Sequence, residues 1–405
     1  MKANMETIFC RGFQMIMKVG MYALPWRTPK TMKGAGAVKK LPVAILRKNL
    51  KKPLIVTDKM LMNLHLLDGM IQAMDACGLS YAIYDGVEPN PTDLNIEEGA
   101  AIYREEGCDC MIAFGGGSPM DCAKGIGARI ARPRKEIRKM QRLFGVLRPI
   151  PTLFAVPTTA GTGSETTIAA VVTEAETHHK ASMNDLCLMP KYAVLDPELT
   201  IGLPPQITST TGMDALCHAV EAYTNGTYNS AQEKKMCKMA VKLIYHNLYR
   251  IYQNGSDLEG RQNMQKAAFY AGRAFTRGCV GYVHAIGHTL GGLYGTPHGL
   301  AMAVLLPHVM RAYGSAAYDR LAELCDVCGI ETADASNKAK AEAFIEWIEE
   351  MKMKMDIPVY PPALKEEDVD QIVEWAHKEA NPLYPTPVTW TKADFKAFIL
   401  SLKEV

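Results

Sequence analysis

The sequence lacks the features that mark nucleic-acid-binding, membrane and secreted proteins. Its 45 Lys and Arg nearly balance 43 Asp and Glu, and a net charge of +2 indicates neither a nucleic-acid nor a membrane partner. No uninterrupted run of about twenty apolar residues occurs, and Glu6, Arg11 and Lys18 interrupt the apolar start of the chain, which argues against a membrane span or signal peptide. The 11 cysteines are odd in number and scattered, which favours reduced thiols. We therefore expect a cytoplasmic protein.

What the sequence does contain is a change of pattern near residue 200. Before this point, short β-rich runs alternate with helical patterns, which indicates a parallel sheet covered on both faces. Beyond it, helical patterns dominate. The prediction is an α/β N-terminal domain with a parallel, Rossmann-like sheet, followed by an all-α domain. The predicted divisions are a leader of unknown role at 1–18, the α/β domain at 19–200 and the all-α domain at 201–405.

The elements are predicted from apolar periodicity and from turn residues. Strands are predicted at 54–57, 81–84, 110–114, 154–156, 169–172 and 192–195. Helices are predicted at 60–77, 95–106, from 118 onward, and at 209–224, 229–252, 256–276, 298–313, 315–328, 335–355, 365–379 and 391–403. Thr391 and Asp394 form a capping-box start for the last of these helices.

Three consecutive glycines follow the predicted strand at 110–114 and permit close backbone approach. Ser118 is the predicted N-cap of the next helix, Pro119 suits its first position, and Asp121 at the third position can reach back to the cap. Free N–H groups and the helix dipole at such a turn suit a phosphate; a turn without a ligand is the alternative. The spacing differs from Gly-x-Gly-x-x-Gly. The candidate binding residues are Gly115, Gly116, Gly117, Ser118 and Asp121.

A second loop, at 157–166, is rich in hydroxyls and glycine and follows the strand predicted at 154–156. Its candidates, Thr158, Thr159 and Thr162, suit phosphate or ribose, although such clusters also form plain loops. Two loops of this kind in one α/β domain favour a dinucleotide. Asp58, just past the first predicted strand, can accept hydrogen bonds from a ribose and repel a 2′-phosphate, which favours NAD over NADP. It can equally cap a helix.

Several side chains have spacings that suit metal binding. Asp214 and His218 are four residues apart, as are His284 and His288, so each pair shares a helix face. His298 follows a Tyr-Gly-Thr-Pro break at which the chain can fold back. Asp214, His218, His284 and His298 offer three nitrogens and one oxygen, which suit Fe²⁺, Zn²⁺, Mn²⁺ or Co²⁺. The alternatives are an ordinary hydrogen-bonded pair and satisfied core histidines.

The chain resembles the iron-dependent (group III) alcohol dehydrogenases through four motifs in the same order and at similar separations. These motifs lie at 115–121, 157–165, 212–218 and 281–298. Similarity to the lactaldehyde reductase/1,2-propanediol oxidoreductase branch lies at 54–59, 81–86 and 306–310. Many members have Ala-His-Pro where this chain has Gly287, His288 and Thr289, so the pocket beside His288 departs from the family pattern.

The resemblance implies an NAD-binding α/β domain and an all-α metal-binding and substrate domain. It implies that the metal, Fe²⁺ or another divalent ion such as Zn²⁺, is held by the four ligands above, and that His288 lies beside the substrate and the nicotinamide. It also implies a strand near 19–26 that pairs with its twin in a homodimer. The implied NAD contacts are Asp58, Asn90, Gly117, Ser118, Asp121, Thr158, Thr159 and Lys180.

The expected activity is reversible hydride transfer between a small primary alcohol or diol, such as 1,2-propanediol, and NAD(H). The metal is expected to polarise the substrate oxygen, and His288 is the candidate proton relay. A glycerol or polyol dehydrogenase of the same fold, or a related synthase that uses NAD transiently, is one alternative. A non-catalytic, shell-associated protein recruited by its leader is the other.

Overall fold

The structure, a computed structural model, describes residues 5–176, 180–362 and 364–402. These residues fall into two compact units: an α/β unit at Trp26–Gly202, and a helical unit that joins Met1–Pro25 to Leu203–Val405. The predicted fold class, an α/β part with a parallel sheet followed by a helical part, is confirmed. Among the described helices, none has the length and apolar content that crossing a bilayer requires.

The elements are numbered in chain order. The α-helices are α1 (Met5–Ala23), α2 (Leu41–Leu46), α3 (Lys59–Asn63), α4 (Asp68–Ala76), α5 (Asp93–Glu105), α6 (Gly117–Ala131), α7 (Pro205–Asn225), α8 (Ala231–Gln253), α9 (Leu258–Gly278), α10 (Tyr282–Tyr294), α11 (His298–Tyr313), α12 (Ser315–Cys328), α13 (Asn337–Lys354), α14 (Val369–Ala380) and α15 (Lys392–Ser401). The strands are β1 (Lys30–Lys33), β2 (Pro53–Val56), β3 (Ala82–Tyr84), β4 (Cys110–Gly115), β5 (Thr152–Pro157), β6 (Ala169–Thr173), β7 (Lys180–Asn184) and β8 (Tyr192–Leu195).

The main sheet of the α/β unit is parallel and has the strand order β1–β8–β5–β4–β2–β3. Every residue of β2 and β4 is buried, as expected of strands covered on both faces. The strand predicted at 169–172 exists as β6, but it pairs antiparallel with β7 in a separate two-stranded sheet. Its alternating burial explains the difference, because only one of its faces is fully covered.

Helices cover both faces of the main sheet. Met70 of α4 packs with Ile55 on one face, whereas Ile96 of α5 and Ile126 of α6 pack with Leu54 on the other. The chain passes from β2 outward to β3 and then returns to β4 on the opposite side of β2. The boundary between β2 and β4 is therefore a topological switch point, where α/β sheets bind ligands at the carboxyl ends of their strands.

In the helical unit, α7 is buried continuously from Gly212 to Asn225 and packs with α8, α9 and α11. The helices predicted beyond residue 205 match the observed helices, with ends that differ by four residues or fewer. The predicted end at 403 lies outside the described residues. The capping box of Thr391 and Asp394 is present at the start of α15 and is confirmed.

The helix predicted at 60–77 is interrupted in the structure. It forms two helices, α3 and α4. His65, between them, has a φ of 56°. This left-handed conformation cannot be part of a right-handed α-helix, so the chain turns there.

The N-terminal segment is a helix through residue 18 and on to Ala23, so the strand expected near 19–26 is not formed. The first four residues of the predicted leader lie outside the described part of the chain. The α/β unit begins at Trp26 rather than at 19, because α1 belongs to the helical unit. The Gln14 side-chain amide, for example, donates hydrogen bonds to the carbonyl oxygens of Pro382 (3.1 Å) and Tyr384 (2.9 Å).

Candidate active site

Helix α7 carries two of the predicted metal ligands. Asp214 and His218 are one turn apart, 1% and 4% exposed, and their Oδ1 and Nε2 atoms are 3.8 Å apart. The His218 ring stacks on Phe275 with a centroid separation of 4.1 Å, which fixes its orientation. The helix is tightly packed here, since a Cβ on Gly212 would lie 2.3 Å from a methyl group of Leu248.

The other two predicted ligands come from α10 and from the start of α11. His284 Nε2 lies 3.9 Å from Asp214 Oδ1, and His298 Nε2 lies 3.3 Å from the same oxygen. Gly299 lets α11 begin close to α7, because a Cβ there would lie 2.5 Å from the carbonyl oxygen of Thr210. Candidate ligand atoms of all four residues therefore lie within 4.8 Å of one another.

The cluster fits a divalent metal ion. Two ligands at 2.0–2.2 Å from a tetrahedral metal are about 3.4 Å apart, close to the separations measured from Asp214 Oδ1. Asp214 Oδ1 and His284 Nε2 are buried and have no hydrogen-bond partner among the described residues. Leaving such atoms unsatisfied is costly, and a bound metal would satisfy them. An ordinary hydrogen bond between Asp214 and His218 would not account for the positions of His284 and His298.

Glu221, less than one turn beyond His218 on α7, orients His284. Its Oε2 lies 2.5 Å from His284 Nδ1, and its Oε1 accepts a hydrogen bond of 2.8 Å from the backbone N–H of Val283. A proton on Nδ1 leaves the lone pair on Nε2, the nitrogen that faces Asp214. The sequence prediction missed this role. The signal that could have found it is the i,i+3 spacing of Glu221 from His218.

Burial sets the charge states of the cluster. It lowers the pKa of His218 to about 3 and the pKa of His284 well below its ordinary value, so both imidazoles are neutral at pH 7. Burial opposes ionisation of Asp214, but the neighbouring histidines, His218 first, hold its pKa well below its usual range. Burial raises the pKa of Glu221 to about 7. Neutral imidazoles and a carboxylate are the protonation states that metal binding requires.

His288 lies beside the cluster and is 41% exposed. Its ring centroid is 5.7 Å from that of His284 and 5.4 Å from that of His298. Its Nδ1 is 2.8 Å from Oε1 of Glu379 on α14, and the Tyr384 hydroxyl donates to the same oxygen at 3.0 Å. A carboxylate at Nδ1 selects the tautomer and orients the ring. No sequence pattern pointed to Glu379, which lies 91 residues beyond His288.

In the α/β unit, the glycine turn follows β4 at the switch point. Gly115 has a φ of 149°, and a Cβ there would lie 2.5 Å from the Pro119 ring, so the position requires glycine. The predicted N-cap, Ser118, is wrong: Gly116 is the N-cap and Gly117 is the first helical residue. Because α6 begins earlier than predicted, Ser118 lies in its first turn.

Hydrogen bonds join the first two turns of α6 to the second predicted loop and to the residues that follow it. Asp121, expected to reach back to the helix start, instead accepts hydrogen bonds from the Ser164 hydroxyl (2.9 Å) and the Val171 N–H (3.0 Å). The Lys124 ammonium, fully buried, donates to the hydroxyls of Ser164 and Thr167, each at 2.8 Å. Sequence reasoning missed Lys124, because a lysine in a helical pattern is normally exposed.

The other predicted cofactor residues also lie at strand ends. The Asp58 carboxylate accepts a hydrogen bond from the Leu61 N–H at 2.9 Å and so caps α3, the second of its two predicted roles. Thr158 donates its N–H to the Gly115 carbonyl at 3.1 Å. A Cβ built on Gly116 would contact Thr159 at 3.6 Å, and one built on Gly117 would contact Thr162 at 3.3 Å.

Two predicted cofactor residues meet beside the start of α6. Lys180, the first residue of β7, donates from Nζ to Asn90 Oδ1 at 2.7 Å. The Asn90 N–H donates in turn to the Ser118 hydroxyl at 3.4 Å, and Asn90 has a φ of 58°. Burial lowers the pKa of Lys180. The hairpin of β6 and β7 thus brings an amine and an amide to the helix N-terminus.

Two family models together match nearly the whole chain. Residues 28–197 match the model for "Iron-containing alcohol dehydrogenase", and residues 208–402 match that for "Fe-containing alcohol dehydrogenase family, C-terminal". The chain belongs to the iron-containing alcohol dehydrogenase family, and the predicted family membership is confirmed.

The individual proteins to which the chain is similar are enzymes with different names. The chain is 40% identical over 335 residues to 1,3-propanediol dehydrogenase of Klebsiella pneumoniae, which covers 82% of this chain and 86% of the relative. It is 35% identical over 350 residues to lactaldehyde reductase of Escherichia coli K12 (85% and 90%), and 35% identical over 353 residues to NAD-dependent methanol dehydrogenase of Bacillus methanolicus (87% and 92%). The crystal structure of a 1,3-propanediol oxidoreductase superposes with a TM-score of 0.89 at 36% identity, over 93% of this chain and 99% of that one.

Proposed function

We propose that this alcohol dehydrogenase is metal-dependent and NAD-linked, and that it interconverts a small primary alcohol or diol, such as 1,2-propanediol, with the corresponding aldehyde. The observation that carries the proposal is the cluster of Asp214, His218, His284 and His298, in which all but His298 are buried and whose unsatisfied atoms and spacing suit one divalent ion. Fe²⁺ agrees with the family, and Zn²⁺ suits the same ligands.

When bound, the metal supplies a Lewis acid for the substrate oxygen, and the nicotinamide supplies or accepts the hydride. The contribution of the chain is to hold and orient these groups. Asp214 offers a carboxylate and the three histidines offer nitrogens, while Glu221 keeps the proton of His284 on Nδ1. His288 is our candidate to carry the substrate hydroxyl proton to solvent, because it is half-exposed and its Nδ1 is paired with Glu379.

We assign the dinucleotide to the carboxyl ends of β2, β3, β4 and β5. The support is the switch point between β2 and β4, together with the glycine turn at the N-terminus of α6. Asp58 puts a negative charge at the end of β2, which disfavours the 2′-phosphate of NADP. The proposed contacts are Asp58, Asn90, Gly115, Gly116, Gly117, Ser118, Asp121, Thr158, Thr159, Thr162 and Lys180.

The test of this proposal is turnover of short substrates with both cofactors. The purified protein, loaded anaerobically with Fe²⁺ or with Zn²⁺, is given lactaldehyde, propanal or 3-hydroxypropanal with NADH or NADPH, and 1,2-propanediol, 1,3-propanediol or glycerol with NAD⁺. We expect net NADH consumption with the short aldehydes, and a kcat/KM at least tenfold lower with NADPH.

Each alternative predicts a different result. A synthase that regenerates NAD in each cycle would convert substrate without net change in NADH absorbance. A polyol dehydrogenase would favour glycerol over the propanediols. Absence of net NADH consumption with every aldehyde, in protein that demonstrably holds its metal, would contradict the proposal.

A further inference from the structure

Helix α1 has the reverse of the usual amphipathic arrangement. Its charged residues, Glu6, Arg11 and Lys18, are partly buried, and its most deeply buried side chains include the polar Gln14. Its exposed positions are all apolar or glycine, and they form one continuous face of the helix. The large side chains of this face are Met5, Ile8, Phe9, Met15, Ile16, Val19 and Tyr22, and their exposed fractions run from 52% to 85%.

Polar contacts on the inner side hold the helix in this orientation. The Arg11 guanidinium donates to the carbonyl oxygens of Thr386 (2.8 Å) and Pro387 (3.0 Å), and His377 Nε2 lies 2.5 Å from a carboxylate oxygen of Glu6. Together with the two hydrogen bonds of Gln14 described above, these contacts prevent rotation of the helix about its axis. These contacts therefore keep the apolar face of α1 directed outward.

The sizes of the residues on this face are complementary under a two-fold rotation. When a second α1 is laid antiparallel, Met5 faces the partner's Ala23, Ile8 faces the partner's Gly20, and Gly12 faces the partner's Ile16. Each small residue thus meets a large one, as knobs-into-holes packing requires. Apart from its own neighbours in the helix, no atom of a described residue would lie within 4 Å of a Cβ on Gly12 or Gly20, so both positions are open. Parallel pairing would instead place glycine against glycine.

We propose that the outward face of α1 is a self-association surface, on which α1 of a second copy of this chain packs antiparallel. A contact in which the same patch serves both subunits is the usual form of a two-fold dimer interface. At 1.5 Å per residue the helix is about 28 Å long, which allows several layers of contact. The described part of this face carries no charge, so a charged partner would leave its charges unpaired there.

The first test is site-specific cross-linking. In the antiparallel register Phe9 faces the partner's Val19, so a chain with both Phe9→Cys and Val19→Cys should give covalent dimers under mild oxidation. Either substitution alone should give none, because equivalent positions are then about 15 Å apart, beyond the reach of a disulfide. The two cysteines of one chain are separated by the same distance and cannot pair. Wild-type protein, with its 11 native cysteines, is the background control.

The second test is particle mass in solution. Ile16→Asp should lower the mass by a factor of two in light scattering at micromolar concentration. Met353→Asp is the matched control, since Met353 on α13 is also a large, exposed apolar side chain (62%) but lies outside the patch. Unchanged mass in Ile16→Asp, with no cross-linking of the double-cysteine chain, would overturn the proposal. Equal cross-linking of the single-cysteine chains would also overturn it, and so would an Ile16→Asp effect confined to lipid-vesicle binding.

Discussion

Glu221 is the residue on which the orientation of His284 depends, since it binds both His284 Nδ1 and the Val283 N–H. Glu221→Gln keeps the size but puts an amide where the carboxylate was, so one of the two donors loses its acceptor. We expect metal affinity to fall about ten- to a hundredfold, measured by competition with a chelator. Glu350→Gln, an exposed change on α13, is the control and should leave affinity unchanged. Equal affinity in both variants would contradict this role.

Glu379 is expected to act on the proton relay and not on the metal. Glu379→Gln removes the negative charge beside His288 Nδ1, and the loss should lower kcat about tenfold or more. The metal content should stay the same. Because a carboxylate favours the protonated imidazole, its removal should move the acidic limb of the pH–rate profile to lower pH. A normal profile with reduced metal content would show instead that Glu379 is a structural residue.

Lys124 makes the stability of the α/β unit depend on pH. Burial lowers its pKa from 10.5 to about 8, so between these values the unfolded chain binds more protons than the folded chain. Folded-state stability should therefore rise as pH increases across this range, by at most about 3 kcal/mol. Lys124→Met should lack this rise. Denaturant unfolding of both proteins at pH 7 and pH 10 gives the difference between their free energies of unfolding. If this difference does not change with pH, the lowered pKa of Lys124 is contradicted.

At the scale of elements, the close contact between α7 and the start of α11 brings His298 to Asp214. Gly299→Ala would place a Cβ 2.5 Å from the backbone oxygen of Thr210, which cannot move cheaply, so the helices should separate. We expect metal affinity to fall at least tenfold, measured by chelator competition. Gly292→Ala on α10 is the matched control, because its nearest contact is an ordinary 3.8 Å. Equal losses in the two variants would contradict this account.

Local signals predicted the elements that surround the candidate site. The strand, the glycine turn and the helix near residue 115 are adjacent in sequence, so their order alone implies their arrangement. Cap residues were less predictable. Ser118 is a better N-cap than glycine by intrinsic preference, but the φ of 149° at Gly115 makes the chain turn earlier, and Gly116 caps the helix.

At the scale of the whole molecule, contacts between distant segments account for what the sequence did not predict. Glu379 reaches His288 only because α14 packs against α10. The register of β7 against β6 brings Lys180 to Asn90. The direction of the apolar face of α1 is set by Arg11 and its contacts with residues 386–387, and no periodicity in the N-terminal segment encodes these acceptors.

We propose that one divalent ion is bound by Asp214, His218, His284 and His298 and is required for turnover. The most direct measurement is elemental analysis of anaerobically purified wild type, Asp214→Ala and His284→Ala, with NADH-dependent aldehyde reduction measured on the same samples. We expect about one divalent ion per wild-type chain, and we expect both variants to lose the ion and the activity together. Full activity in either variant, or in chelated wild type shown to be free of metal, would contradict the account.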